Sequence, residues 1–233
     1  MNARFLAFGF LALLCAPACS RSPSERELYK QLSDGKEATK ALQTVLETPD
    51  EYSPLILFTA AALALHERRL EDSGFLFYAA QMRAHFDKEC FPPKGQGGND
   101  PLLVYGALSE EIGSEVNPAV MGEPKVFERV LARLKKWTPK ASRGYDPGYE
   151  FVKRKAEKES LEATKPSRTK FIEGMSGVCT LLKDPEYFAA MKVLQAYNFS
   201  PRDKRPPKEV YDRAQKTLRR IENEKGIEGI SRT

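Results

Sequence analysis

Histidine is scarce in this 233-residue chain: there are two, His66 and His85, beside a single tryptophan. They are not spaced three or four residues apart, the separation that would bring two ligands to one helix face, so no metal site is expected. A Gly-x-Ser-x-Gly elbow is missing as well. Gly174-Met175-Ser176-Gly177 only approaches it and reads as small residues at a helix crossing. Phosphate-loop, dinucleotide and calcium-loop signatures are absent, and no cofactor is expected. There is no run of alternating Val, Ile and Thr bounded by hairpin turns, which removes the usual strand ladder. No apolar run approaches the roughly 20 residues that a spanning helix needs. Neither sign of charge dominates, with 37 Lys and Arg against 32 Asp and Glu. That balance is an ordinary solvated surface.

What is present begins with the first nineteen residues. Arg4 supplies a basic start, Phe5 to Leu14 a short apolar run, and Ala16-Pro17-Ala18 a small-residue exit before Cys19. This order is that of an export signal. The segment resembles bacterial lipoprotein signals, with the box on Ala16-Pro17-Ala18-Cys19. The resemblance implies removal of residues 1–18, acylation of Cys19, a tether over 19–24, and, with Ser20 next, a place in the outer membrane facing the periplasm. Cleavage after Ala18 by an ordinary signal peptidase, giving a soluble periplasmic protein, is the other reading. An exported protein rarely meets nucleic acid, so none is expected as a partner. Removing Arg4 leaves a formal excess of about +4.

Once Cys15 is removed and Cys19 is acylated, Cys90 and Cys179 remain. An even pair in an oxidising compartment predicts a disulfide. The alternative is two unpaired thiols, with Cys179 packed on the apolar stripe of Phe171, Met175, Val178 and Leu182.

From residue 25 to residue 225 the chain reads as one all-α domain, an irregular helical bundle. Ser24 and Glu27 form a capping box opening the first helix. A second helix starts near Lys36, and Ser53-Pro54 opens the most apolar one, through Leu65, whose all-round hydrophobicity predicts burial. Leu70 to Phe86 follows. Pro101 opens a helix expected to stop near Gly113, and Glu123-Pro124 opens another ending near Trp137. Thr138 to Pro147 reads as a loop, and the highly charged stretch from Gly148 to Thr164 as a linker or a solvated helix; a candidate internal boundary lies near 139–165. Helices are expected near 168–182, 185–197 and 207–225, the last with Val210, Ala214, Leu218 and Ile221 on one stripe. Residues 226–233 read as a loose tail.

Ala60, Ala61, Ala64, Ser73, Phe77 and Ala80 resemble the small and bulky positions of one tetratricopeptide repeat. Small residues let two antiparallel helices approach while Phe77 fills the groove. The resemblance implies a scaffold that holds another protein in a concave face. No second copy stands at the roughly 34-residue repeat, so an ordinary αα-hairpin is the other reading. The run Phe75-Leu76-Phe77-Tyr78-Ala79-Ala80-Gln81-Met82-Arg83, in a small exported helical chain, resembles uncharacterised immunity-type lipoproteins.

These features lead to an expected function: a non-enzymatic, lipid-anchored envelope protein that binds another protein. Two roles fit, immunity against a periplasmic toxin and assembly or scaffolding in the outer envelope. Arg143, Tyr145 and Tyr149, set among glycines, are the candidate partner-binding residues, since tyrosine offers a rigid apolar plate with a polar tip. Packing of both tyrosines onto the bundle is the competing reading. The catalytic alternative is a peptidoglycan-active enzyme using Glu110, Glu111 or Glu115 as general acid.

Overall fold

The computed structural model describes residues 23–34, 37–94, 101–142, 144–227 and 229. Cys19, the leader and Arg143 lie outside them. Among the described residues the chain is all-helical: α1 (Pro23–Asp34), α2 (Ala38–Glu47), α3 (Pro54–His66), α4 (Leu70–Cys90), α5 (Pro101–Met121), α6 (Pro124–Lys136), α7 (Glu157–Leu182), α8 (Pro185–Phe199) and α9 (Lys208–Lys225). Among the described residues the one β-type contact is an isolated antiparallel bridge between Pro93 and Phe151. Among the described residues no helix is long and apolar enough to cross a membrane.

Helix α4 is the axis of the bundle and packs on α3, α5, α6 and α7. Its residues from Ser73 to Ala80 are buried on every side, as expected for a helix apolar all round. Helices α3 and α4 form a tight hairpin. Ala60, Ala61 and Ala64 are fully buried, and the Ser73 hydroxyl donates to the Ala61 carbonyl at 2.9 Å. The polar atom that departs from an all-alanine interface is thereby satisfied. Gly74 lets α4 approach closely, for a Cβ there would lie 3.0 Å from Val130 and 3.1 Å from Val120.

Three helices differ from the sequence expectation. Helix α5 passes Gly113 and continues to Met121. Gly113 is a contact point rather than a terminator: a Cβ would stand 2.8 Å from the Phe77 ring. Helix α7 starts at Glu157 and runs through Pro166, so the charged stretch from Glu157 onward forms its first turns while residues 148–156 are not helical. Proline costs one backbone hydrogen bond there, but buried Ser160 and Thr164 on one side and Met175 and Cys179 on the other hold the helix to the bundle. On α9 the buried stripe is Ala214, Leu218 and Ile221, while Val210 is exposed.

The expected disulfide is not formed: Cys90 and Cys179 are both free, buried thiols. Cys90 closes α4, and its Sγ donates to the Lys155 carbonyl at 3.6 Å, just ahead of α7. Cys179 belongs to the main core, near the far end of α7. About six helical turns, from Glu157 to Cys179, separate the two neighbourhoods, roughly 33 Å at 1.5 Å per residue, whereas a disulfide needs Cα atoms roughly 4.4–6.8 Å apart.

Residues 138–142 and 144–156 form a strap across the end of α4. Ala141, Tyr145, Tyr149 and Leu161 pack with Phe86, Cys90 and Phe91 in a second apolar cluster. The strap is also pinned by its backbone: Lys94 N–H donates to the Glu150 carbonyl at 2.9 Å, Val152 N–H to Pro92 at 2.9 Å and Lys155 N–H to Cys90 at 2.8 Å. Gly148, with φ of 82°, supplies the left-handed turn. After α9, Gly226 takes the left-handed C-cap position. Ile227 then packs against the core, where a Cβ on Gly177 would meet it at 2.7 Å.

Candidate functional site

Two regions concentrate unusual chemistry. The first lies under the strap. Arg83 and Asp87 are one turn apart on α4, both fully buried, with Nε 2.8 Å from Oδ1. The Arg83 Nη1 donates to the carbonyls of Asp50 at 2.6 Å and Lys140 at 2.7 Å. The Tyr145 hydroxyl accepts from Arg83 Nε at 3.2 Å and donates to Asp87. Burial raises the Asp87 carboxyl to about 7 against the opposing pull of Arg83 and Tyr145, and nearby Glu25 adds to the rise. Burial also pushes the Tyr145 phenol well above its ordinary value, and Asp87 reinforces this. Three separate stretches of chain therefore meet at one guanidinium: α4 itself, the segment ahead of α3 through the Asp50 carbonyl, and the strap through the Lys140 carbonyl and Tyr145.

Both candidate tyrosines turn inward. Tyr145 joins this network, and the Tyr149 hydroxyl donates to the Phe91 carbonyl at 3.0 Å. Their rings press the strap onto α4, with Phe91 and Tyr145 centroids 5.5 Å apart. Glu110, Glu111 and Glu115 lie exposed along α5. His66 is exposed at the end of α3 and His85 on α4. Among the described residues no group of three or more His, Cys, Asp or Glu could hold a metal ion.

The second region is an open cavity of about 520 Å³ between α4, α5 and α7. Helix periodicity builds it. On α5 the lining positions are Leu102, Tyr105, Gly106 and Ser109; on α7 they are Thr164, Ser167, Arg168 and Phe171. Each set follows the one-face spacing of three and four residues. Phe58 of α3, Met82 of α4 and Pro139 of the strap complete the apolar wall, with Gln81, Ala84 and His85 beside them. The space is empty because facing positions carry small side chains: Ala84, Gly106, Ser109, Thr164 and Ser167. Most polar groups here are already engaged. Gln81 donates to the Ser109 hydroxyl at 2.7 Å, Thr164 to the Ser160 carbonyl at 2.9 Å and Ser167 to the Thr164 carbonyl at 2.8 Å.

Arg168 differs. Its Nη2 donates to the Leu134, Lys135 and Trp137 carbonyls at 3.2, 3.2 and 2.9 Å, capping the negative end of the α6 dipole. Its Nε is buried with no acceptor. No carboxylate stands among the described residues lining the cavity. On other faces of α5, about 100° and 200° around the helix from Leu102, Leu103 and Val104 are 61% and 59% exposed.

Sequence reasoning reached the first region only through Tyr145 and Tyr149, whose packing onto the bundle was one of its two readings, and it missed Arg83 and Asp87 beneath them as well as the cavity. Arg83 and Asp87 carried a usable signal, an oppositely charged pair at four-residue spacing inside an otherwise apolar helix. The cavity carried none, because its walls come from residues far apart in the chain. No protein-family model, curated protein or solved structure matches the sequence.

Proposed function

We propose that this chain is an exported, lipid-anchored protein of the bacterial envelope that acts by binding another protein rather than by catalysis. The leader over residues 1–18, followed by Cys19, supports the location. The observation that carries the binding reading is the consecutive pair Leu103 and Val104, two large aliphatic side chains on α5 left mostly in water. Single exposed apolar residues are ordinary, but two large ones side by side near the start of a helix form a small apolar patch that a partner can cover. A partner's apolar side chains would cover this pair and be ringed by polar groups. Neutralising a periplasmic toxin and holding an assembly partner both fit a surface of this kind.

The test is capture from solubilised envelope with the intact acylated chain, compared with Leu103→Asp and Val104→Asp. Substitution of exposed residues changes stability by no more than about 0.5 kcal/mol, so folding is preserved. A specific protein recovered by the wild type and lost from both variants supports the reading. Equal recovery by all three chains, or recovery of glycan fragments alone, overturns it.

A further inference from the structure

We propose that the turn between α8 and α9, together with the outer face of α9, docks on an anionic lipid bilayer. This goes beyond the protein-partner reading and stands apart from it, since Leu103 and Val104 belong to α5. It draws on the envelope location only for a bilayer to be at hand.

The chain's charge is concentrated there. Residues 199–220 hold eight of the 37 Lys and Arg but three of the 32 Asp and Glu, so the excess of +5 resides in this segment and the rest of the chain is balanced. Helix periodicity gathers much of it on one side. Ala214, Leu218 and Ile221 are the buried stripe of α9, and Arg213, Lys216, Arg219 and Arg220 stand exposed away from it. Arg220 is committed to Glu186 at 2.7 Å and Glu224 at 2.9 Å, and Lys208 pairs with Asp212. The side chains of Arg202, Lys204, Arg213, Lys216 and Arg219 make no ion pair or hydrogen bond among the described residues. Asp203 and Glu209 are the only other acids of the segment.

The turn adds an apolar element to these cations. Phe199, the last residue of α8, is 57% exposed, and Val210 in the first turn of α9 is exposed as well. The turn is held in shape. Tyr197 and Tyr211 close the hairpin with ring centroids 4.3 Å apart. Arg205 lies 5.7 Å over Tyr197 and Lys208 5.0 Å over Tyr211, and Arg205 Nε donates to the Ser200 carbonyl at 3.0 Å. A tight protein partner would need a close-packed apolar centre, whereas here one ring stands among long, charged side chains. A bilayer surface takes both parts as they are. Headgroup phosphates meet the cations, and an aromatic ring enters the boundary between headgroups and acyl chains. The aliphatic stems of Lys and Arg lie along the same boundary with their charges in water.

The test reads the turn itself. The full chain carrying Phe199→Trp is reconstituted on vesicles of phosphatidylcholine and on vesicles of phosphatidylcholine mixed with phosphatidylglycerol, both with brominated acyl chains. Trp137 is buried, and the wild type corrects for its emission. On the anionic vesicles the new tryptophan should shift to the blue and be quenched by bromine; on the neutral ones it should emit as in water. Salt at about 1 M, where the screening length is about 3 Å, should reverse the shift. Arg213→Glu and Lys216→Glu, made in the same background, should each lower the ratio of docked to free turn at least fivefold, the equivalent of about 1 kcal/mol per basic residue near an anionic surface. Both side chains are exposed and unpaired among the described residues, so the melting temperature should hold. A chain that joins the anionic vesicles alone, with the shift and quenching intact, supports the docking face and counts against the lipid anchor only. Identical emission on the two vesicle types, an unchanged spectrum on both, or a shift that survives the charge reversals overturns the proposal. Soluble poly-glutamate that produces the same blue shift names an acidic protein as the partner and overturns it too. None of these outcomes touches partner capture at Leu103 and Val104, so the two readings fail separately.

Discussion

The Arg83 guanidinium lies 3.9 Å over the ring of Tyr145 while bonding to the hydroxyl of the same side chain. One residue of the strap thus meets a buried cation through both its π-face and its polar tip. The Tyr145 hydroxyl also donates to Asp87, fifty-eight residues away in sequence. Tyr145→Phe keeps the stacked ring and removes both hydrogen bonds. The expected loss is about 1.5–3 kcal/mol, the range for hydrogen bonds to charged groups, measured as a lower urea midpoint with an unchanged slope.

Asp87 gives the molecule a signed dependence on pH. Its carboxyl is raised from 3.8 to about 7, first by burial. Between those values the folded chain holds a proton that the unfolded chain releases. Stability from this group is therefore full below the lower value and declines as pH climbs through about 7. The melting temperature of the wild type should fall relative to that of Asp87→Asn between about pH 5 and pH 8. A parallel pair of curves would show that the carboxyl does not titrate in that window.

The two thiols lead to a negative result with content. Breaking a native disulfide in a domain of this kind costs about 2–5 kcal/mol. Here both cysteines are free and buried, so a reducing agent should leave the thermal transition unmoved.

Gly174 sits exposed within α7, and a Cβ there meets nothing within 4 Å. Gly174→Ala should stabilise the chain by roughly 0.5–1 kcal/mol, the difference in helix preference between the two residues. Gly177, one turn on, should respond in the opposite sense, because a Cβ would lie 2.7 Å from Ile227.

The helical content was legible because proline, glycine and periodic apolar positions punctuate this chain clearly. Pro54, Pro101, Pro124 and Pro185 each open a helix as read. Errors arose where a residue's local preference yielded to a distant neighbour. Gly113 looks like a stop until Phe77 is placed against it, and Pro166 looks like a break until both flanks of α7 are buried. The inward turn of Tyr145 was one of the two readings that residue type allowed, and the choice between them is made by Arg83 and Asp87, partners that only the assembled bundle brings near. The cavity was invisible for a related reason. It arises from small side chains that face one another across three helices, and no single window of sequence contains more than one wall.

The strap also orders events in time. Phe91 and Tyr149 meet across fifty-eight residues, whereas α3 and α4 are joined by a short turn. Bringing distant ends together must overcome loop-closure entropy before any contact offsets it. The α3–α4 hairpin therefore assembles early and the clasp at Tyr145 late. Loss of that clasp should accelerate unfolding and leave the refolding rate unchanged, a partition that stopped-flow measurements on Tyr145→Phe would read directly.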